Sequence, residues 1–477
     1  MKSIFPVNNI LFRPVEGFLC LLVMFSSLAL LTTKYYYLAL FPPIGLAALL
    51  VFGRYPQWAY YLIIFLIPLK EFRTIGGALK IHWLLSLWLI LILGVRLIIN
   101  KGKGLDIQSP LWRLFFLSLA VWFVSSLMSQ YRETAFDTLE LLVIGCVFLA
   151  LNMAFISKQA FYQVIPRIIV YSVFMTAFLG VIGYLFDFSF FAMGIEEGGF
   201  KRSIGASSDP NNYTLMINFT FPLIYYIFFN TESKLERAFM VFIAVINIAA
   251  LLFSYSRGGM LVMAVVLAVL LFKYVRNIDV RKLGFIISFI IFLMAIFMVF
   301  TPVNYWQHFK NIFDTKADKS IGRRASYVYV GAEAFKENPV LGVGPGAFRD
   351  IFGESYYARK YASSKEITTK RYSHNTYLEI LVGTGFVGFT LFVLIIYGGF
   401  AAFKKARVRF LALGDSSSVA VINAYMFSYI FLLLYLLIFS DPFHKYLYVS
   451  LALSQIALKI SNENDGALNH EKLYVSH

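Results

Sequence analysis

The sequence predicts an all-α polytopic membrane protein with 12–14 transmembrane helices, and three observations carry that prediction. Of its 477 residues, 59% are hydrophobic. Only 14% are charged, against about 25% in a soluble globular chain. The apolar residues come in long unbroken runs near the ~20 residues that a bilayer helix needs, and the mean hydropathy is +0.72. This composition excludes a water-soluble enzyme. It also excludes disorder, which goes with low hydrophobicity. A closed β-barrel is excluded because its strands would alternate apolar and polar residues.

The runs fall at 15–33, 36–53, 57–70, 81–99, 111–128, 136–156, 165–187, 212–229, 236–254, 258–275, 284–301, 375–402, 417–440 and 442–460. The second and third are the weakest, since Pro42-Pro43 interrupts one and the other is short. The first follows Lys2 and Arg13 and ends without a small-residue cleavage site, so it reads as an uncleaved span rather than a signal peptide.

Charge orients these spans. With the N-terminus in the cytoplasm, the inner segments hold 21 of the 42 Lys and Arg, the short outer loops hold 9, and one long loop, 302–374, holds the other 12. Short cytoplasmic loops collect Lys and Arg, whereas loops beyond about 60 residues cross largely regardless of charge. Both termini are therefore expected inside and the long loop outside. The chain divides into N-terminal spans (1–301), the outer loop (302–374), C-terminal spans (375–460) and a polar cytoplasmic tail (461–477) predicted to be disordered. Part of the net charge of +16 is left over for anionic lipid or an anionic substrate. Cys20 and Cys146 both sit in apolar runs and form no disulfide or metal pattern.

The long loop has its own periodicity. In GRRASYVYVGAEAFKENP, Ala325, Val328, Ala332 and Phe335 recur at helical spacing, and Arg323 and Arg324 stand before that helix. Pro339 ends it, and LGVGPGAF follows as a Gly-rich turn. That turn is not a nucleotide loop, since no GK[ST] follows. No internal repeat stands out, which weakens a transporter built of inverted repeats.

Polar groups that look misplaced are the candidates for function, and they gather at the outer face: Arg202, Arg257, Arg323, Arg324 and His374. Arg257 lies in FSYSRGGML, between two apolar runs with almost no loop. It suits either an interfacial arginine reaching lipid phosphates or a clamp for a phosphate beside a helix N-terminus. Arg323 and Arg324 are either solvated charges or a second arm of that clamp. His374 opens SHNTYLEILVGTGFVGF. A lone histidine at a helix start is commonly a plain surface residue. A helix N-terminus nonetheless disfavours the imidazolium, and a neutral imidazole is what a general base requires. Asn375 and Glu379 are four apart on one helix face, which makes Glu379 a buried anchor or a second reacting group. The outer acidic residues show no metal-ligand spacing.

At these residues the chain resembles the O-antigen ligase and polymerase superfamily of bacterial membrane glycosyltransferases. His374-Asn375, nine residues, Gly385, two residues and Gly388 reproduce the H[NSQ]-x9-G-x-x-G pattern of that family. Ser256 to Gly259 is similar to its outer-face arginine turn, the 323 region to its loop helix, and Arg202 to Asn212 to a loop common in it. The motif-bearing stretch runs over about 202–390.

The resemblance implies a GT-C-like fold and an inverting, metal-independent transferase in the bacterial inner membrane, with its site on the periplasmic face. The donor would be a glycan on undecaprenyl diphosphate. The acceptor would be a hydroxyl of lipid A-core or of another lipid-linked glycan. By the same resemblance His374 is the catalytic base. Arg257 and Arg323 hold the diphosphate, with Arg324, Arg202, Asn375 and Glu379 as further binding residues. Membrane lipids are expected partners, and no cofactor, metal or nucleic acid is expected. The motifs fit a repeat-unit polymerase as well as a ligase. A small-anion transporter is the rival from another class.

Overall fold

The computed structural model describes residues 22–29, 31–33, 41–70, 74–75, 79–99, 109–186, 194–197, 200–207, 209–275, 319–360 and 369–475. The span expected at 284–301 lies outside the described residues.

Prolines begin many of the helices, because the first turn needs no N–H partner and the ring fixes a helical φ. Pro42 and Pro43 open α1 (Phe41–Arg54) instead of breaking it. Pro56 opens α2 (Pro56–Phe65), and Pro110 opens α4 (Pro110–Met128), which follows α3 (Ile81–Ile99). Next come α5 (Arg132–Phe155), a π-helical turn (Ala160–Val164) and α6 (Ile165–Phe186). Pro210 opens α7 (Pro210–Asn230), with Asp209 capping the Asn212 N–H at 2.7 Å. The series continues through α8 (Lys234–Phe253) and α9 (Arg257–Val275). The long loop contributes α10 (Lys319–Glu337), α11 (Phe348–Glu354) and α12 (Tyr356–Lys360). The C-terminal part is α13 (Thr376–Ala412), α14 (Ser416–Tyr435) and α15 (Lys445–Val475).

Two antiparallel hairpins, β1–β2 (Thr74–Ile75 with Leu79–Lys80) and β3–β4 (Gly194–Glu197 with Phe200–Ser203), are the strands among the described residues. Seven helices there are long and apolar enough to cross a membrane, which makes this a multi-pass helical membrane protein.

Helix α7 is buried along nearly its whole length, against α14, α8, α6 and α9. Within a bilayer, packing and hydrogen bonds between helices replace the hydrophobic drive. Thr214 Oγ1 meets the Tyr435 hydroxyl at 2.6 Å, Asn218 donates to Gly259 O at 3.1 Å, and Ser428 donates to Phe219 O at 2.7 Å.

The helix ends sort into two sets, as the alternation of spans requires. At one end Ser129 donates to Val343 O (2.7 Å), Arg202 Nε to Ser254 O (2.9 Å), and His444 meets Asn212 (3.1 Å). At the other, Arg167 pairs with Glu236 (2.7 Å), Tyr162 with Ser418 (2.7 Å), and Lys158 donates to Asn464 (3.2 Å). Which set faces outward is testable with single cysteines at Ser320 and Ser416, after Cys20 and Cys146 are replaced by serine. An impermeant thiol reagent should label position 320 in intact cells and spare 416. The reverse pattern would invert the orientation.

Three further details depart from the sequence reading. Helix α10 begins at Lys319, so Arg323 and Arg324 lie inside it, not before it. Its buried stripe is Ser326, Tyr327, Val330 and Ala334, while Val328 and Tyr329 are exposed. Apolar residues occupy both faces of this helix, so periodicity alone chose the wrong stripe. The polar tail continues α15 as far as Val475. Nothing there stops a helix: there is no proline, and the one glycine, Gly466, costs only ~1 kcal/mol.

The Gly-rich segment runs as a strap of turns and bends, with Gly342, Gly344 and Gly346 at positive φ, against a break in α13. Gly385 takes φ 64° and ψ −169° inside that helix. The strap supplies the bonds the break forgoes: Val343 N–H donates to Val382 O (3.0 Å), Gly344 N–H to Gly383 O (2.9 Å), and Phe386 N–H to Pro339 O (2.8 Å). A Cβ on Gly385 would collide with the Val340 carbonyl. Backbone packing thus accounts for the first glycine of Gly-x-x-G, whereas a Cβ on the second, Gly388, would meet the Thr384 side chain.

Candidate functional site

His374 sits immediately before α13 with φ 55°, a left-handed conformation uncommon for any residue but glycine. The groups around it hold it there. Glu379, only 7% exposed, accepts the Ser373 N–H at 2.6 Å. The Asn375 N–H donates to Ser440 Oγ at 3.0 Å, and the Asn375 side chain caps the Leu378 N–H at 3.1 Å. The Thr376 N–H donates to Leu436 O at 2.9 Å, and its hydroxyl to Phe439 O at 2.7 Å. The N–H groups on either side of His374 are therefore fixed by a buried carboxylate and by the 436–440 segment. Glu379 thus reaches back over the helix start, and its carboxylate is bonded there. The side-chain oxygen of Asn375 is likewise engaged in capping.

The His374 ring lies 6.1 Å, centroid to centroid, from Tyr327 of α10. Tyr327 is itself buried against Phe348 and Phe352 of α11. Arg323 is one turn before Tyr327 on the same face and half-buried, whereas Arg324 is exposed.

Arg257 is the first residue of α9 and half-buried. The turn before it is tight: Tyr255 has φ 50°, and Ser256 Oγ accepts the Gly259 N–H at 3.2 Å and donates to Asn211 at 2.9 Å. Gly258 and Gly259 let α9 approach closely, because a Cβ on either would fall 2.5 Å from Ile438 or Thr214 respectively. The Arg257 turn and the His374 turn thus pack on one segment, 435–440. Arg202, on β4, clips the Arg257 turn through Ser254.

The same end of the bundle holds groups the sequence reading passed over. His444 is 4% exposed and accepts the Tyr446 N–H on Nδ1 at 3.3 Å, which leaves Nε2–H to donate to Asn212 at 3.1 Å. A cavity of about 320 Å³ opens beside Glu379, lined also by Trp122, Arg349, Tyr372, Ser440 and Asp441. His374 is not among its lining residues. SDPFHKY, a polar heptad between two apolar runs, is the signal that would have flagged Ser440, Asp441 and His444.

Burial pushes the Asp441 carboxyl up from 3.8 to about 6, against the opposing pull of Lys445. Its partial surface exposure does not contradict this, because it lines the cavity. A raised folded pKa favours the neutral acid in the folded state. The stability it contributes is full below 3.8 and is lost as pH rises through about 6. The melting temperature of the purified protein should therefore decline over that window. In Asp441→Asn that part of the decline should disappear, a difference of up to ~3 kcal/mol. Parallel curves for the two proteins would refute it.

Among the described residues, no group of three or more His, Cys, Asp or Glu is arranged to hold a metal ion.

The fold and this one-ended cluster define a class: a multi-pass helical membrane protein with a polar site built where an extramembrane loop meets the helix ends. Residues 242–393, about a third of the chain, match the family model described as O-antigen ligase. The matched stretch contains Arg257, Arg323, Arg324, His374, Asn375 and Glu379; Arg202 lies outside it. The match is consistent with a membrane enzyme of the ligase and polymerase superfamily. No curated protein matches the chain.

Proposed function

We propose that the protein is an inverting, metal-independent glycosyltransferase. It moves a glycan from undecaprenyl diphosphate to an acceptor sugar hydroxyl on the outer face of a bacterial inner membrane, in the manner of an O-antigen ligase. The observation that carries the reading is His374, held left-handed beside Tyr327 within the stretch similar to that family. In the reaction the acceptor oxygen attacks the anomeric carbon from the side opposite the diphosphate. The bond to the diphosphate breaks, and His374 takes the hydroxyl proton. Arg257 and Arg323 carry the charge that develops on the leaving group. Arg323 is favoured over Arg324 because it is half-buried on the Tyr327 face. Arg202 supports the Arg257 turn, and Asn375 and Glu379 hold the base in place.

The experiment is purified protein with a lipid-linked glycan and candidate acceptors, resolved on a gel. One added block identifies a ligase and a growing ladder a polymerase. No transfer, with anion flux in proteoliposomes, would identify a transporter instead.

The arginines give a separate prediction. Arg257→Ala and Arg323→Ala should each lose most transfer at unchanged membrane levels, and lysine at either position should restore it only in part. A planar fork grips two phosphate oxygens, whereas an ammonium is a point charge. A fully active Arg257→Lys would refute two-pronged binding there.

A further inference from the structure

The end of the bundle opposite His374 carries the larger cavity, about 1170 Å³, between the start of α6, the end of α7, the middle of α15 and the start of α14. One wall is the π-helical turn Ala160–Val164. Such turns are rare and cluster at functional sites. The carbonyls that this turn displaces are taken by tyrosines from other helices: Tyr425 donates to Phe161 O at 2.7 Å and Tyr226 to Tyr162 O at 3.2 Å.

The polar groups of the cavity are unevenly spent. Both nearby carboxylates are consumed internally. Asp415 accepts the Ser418 N–H (3.0 Å) and hydroxyl (2.6 Å), and Glu236 takes Arg167 Nε (2.7 Å) and NH2 (3.1 Å). The donors are not used up. Arg167 NH1 reaches Gln163 O at 2.9 Å, yet each terminal nitrogen keeps a further N–H. Exposed Lys158 makes one bond, to Asn464. The rest of the wall sets an apolar strip, Val164, Ile168 and Ile227, beside tyrosines and the amides of Gln159 and Asn230. A cavity with two cations that keep spare N–H groups, carboxylates already bonded within the protein, and an apolar strip suits a phosphate group with lipid attached.

We propose that this cavity binds the headgroup of an anionic phospholipid, with Lys158 and Arg167 on its phosphate. The site is independent of glycan transfer and does not depend on which face is cytoplasmic.

The test uses the full chain, stripped of lipid and returned to phosphatidylcholine vesicles with or without phosphatidylglycerol, or with inorganic phosphate added. Lipid retention is read by native mass spectrometry. Phosphatidylglycerol should be retained and inorganic phosphate should not displace it. Lys158→Gln should weaken retention by about fivefold, the value of one basic charge near an anionic surface, and Lys158→Arg should restore it. Lys405→Gln, exposed at the same end but outside the cavity, should leave it unchanged. Equal losses at positions 158 and 405 would mean diffuse surface attraction and overturn the site. Displacement by inorganic phosphate would overturn the lipid as its occupant, and no preference for phosphatidylglycerol would overturn both.

Discussion

His374→Gln is expected to stop glycan transfer while leaving donor binding in place. The acceptor hydroxyl is a weak acid and the diphosphate is already a good leaving group, so the help needed is removal of a proton. A positioned base contributes ~10²–10⁴-fold. Glutamine can hydrogen-bond but cannot take that proton at neutral pH. His374→Ala should behave alike, since donor affinity rests on the arginines. The wild-type rate should fall as pH drops below the imidazole pKa, and that limb should be missing in both variants. Near-normal turnover in His374→Gln would move the base elsewhere, with Glu379 the next candidate. If His374→Ala lost affinity and rate together, the histidine would be a binding residue.

The second large effect is expected at Gly385. Its φ of 64° and the collision of any Cβ with the Val340 carbonyl act together. With ψ at −169° the backbone lies in a region open essentially to glycine alone, which costs another residue roughly 1–3 kcal/mol, and overpacking typically adds 1–3 more. Gly385→Ala should therefore lose ~3 kcal/mol or more, with reduced membrane levels and a lower melting temperature. Gly398→Ala is the comparison: it lies in the same helix, and its Cβ would meet nothing within 4 Å. There alanine should be neutral or stabilising by up to ~1 kcal/mol. Equal melting temperatures for the two variants would show that the break in α13 carries no stability.

These two residues mark how far the sequence could be read. The position of His374 at a helix start is visible in SHNTYLE, because Asn375 is a good cap and an apolar run follows. The sorting of helix ends is also legible, since charge and span alternation report it directly. The left-handed φ of His374 is not, because it is imposed by Glu379 and by Ser440, which is 65 residues from Asn375. The break at Gly385 is hidden for a similar reason: hydropathy runs on through LVGTGFVGF, and the cause is a strap 40 residues earlier in the chain. Asp441 and His444 stay inconspicuous because a short polar stretch between spans looks like an ordinary turn. The 326–334 stripe of α10 was misread because its outward face is apolar as well.

The strap has a consequence for exchanging parts between related proteins. Val343 and Gly344 donate into α13, and Phe386 of α13 donates back to Pro339. Ser125 of α4 also closes on the Leu341 carbonyl at 2.7 Å. A loop transplanted alone would arrive without the broken helix that receives it, and a straight helix would leave no room for the strap. The smallest portable cassette therefore reaches from the start of α10 to beyond Gly388, and its host must keep Ser125 and Ser129 at the end of α4 to receive the strap. Chimeras cut at the apparent membrane boundary near 374 should fail to assemble, whereas those cut within the second half of α13 should keep the joint intact.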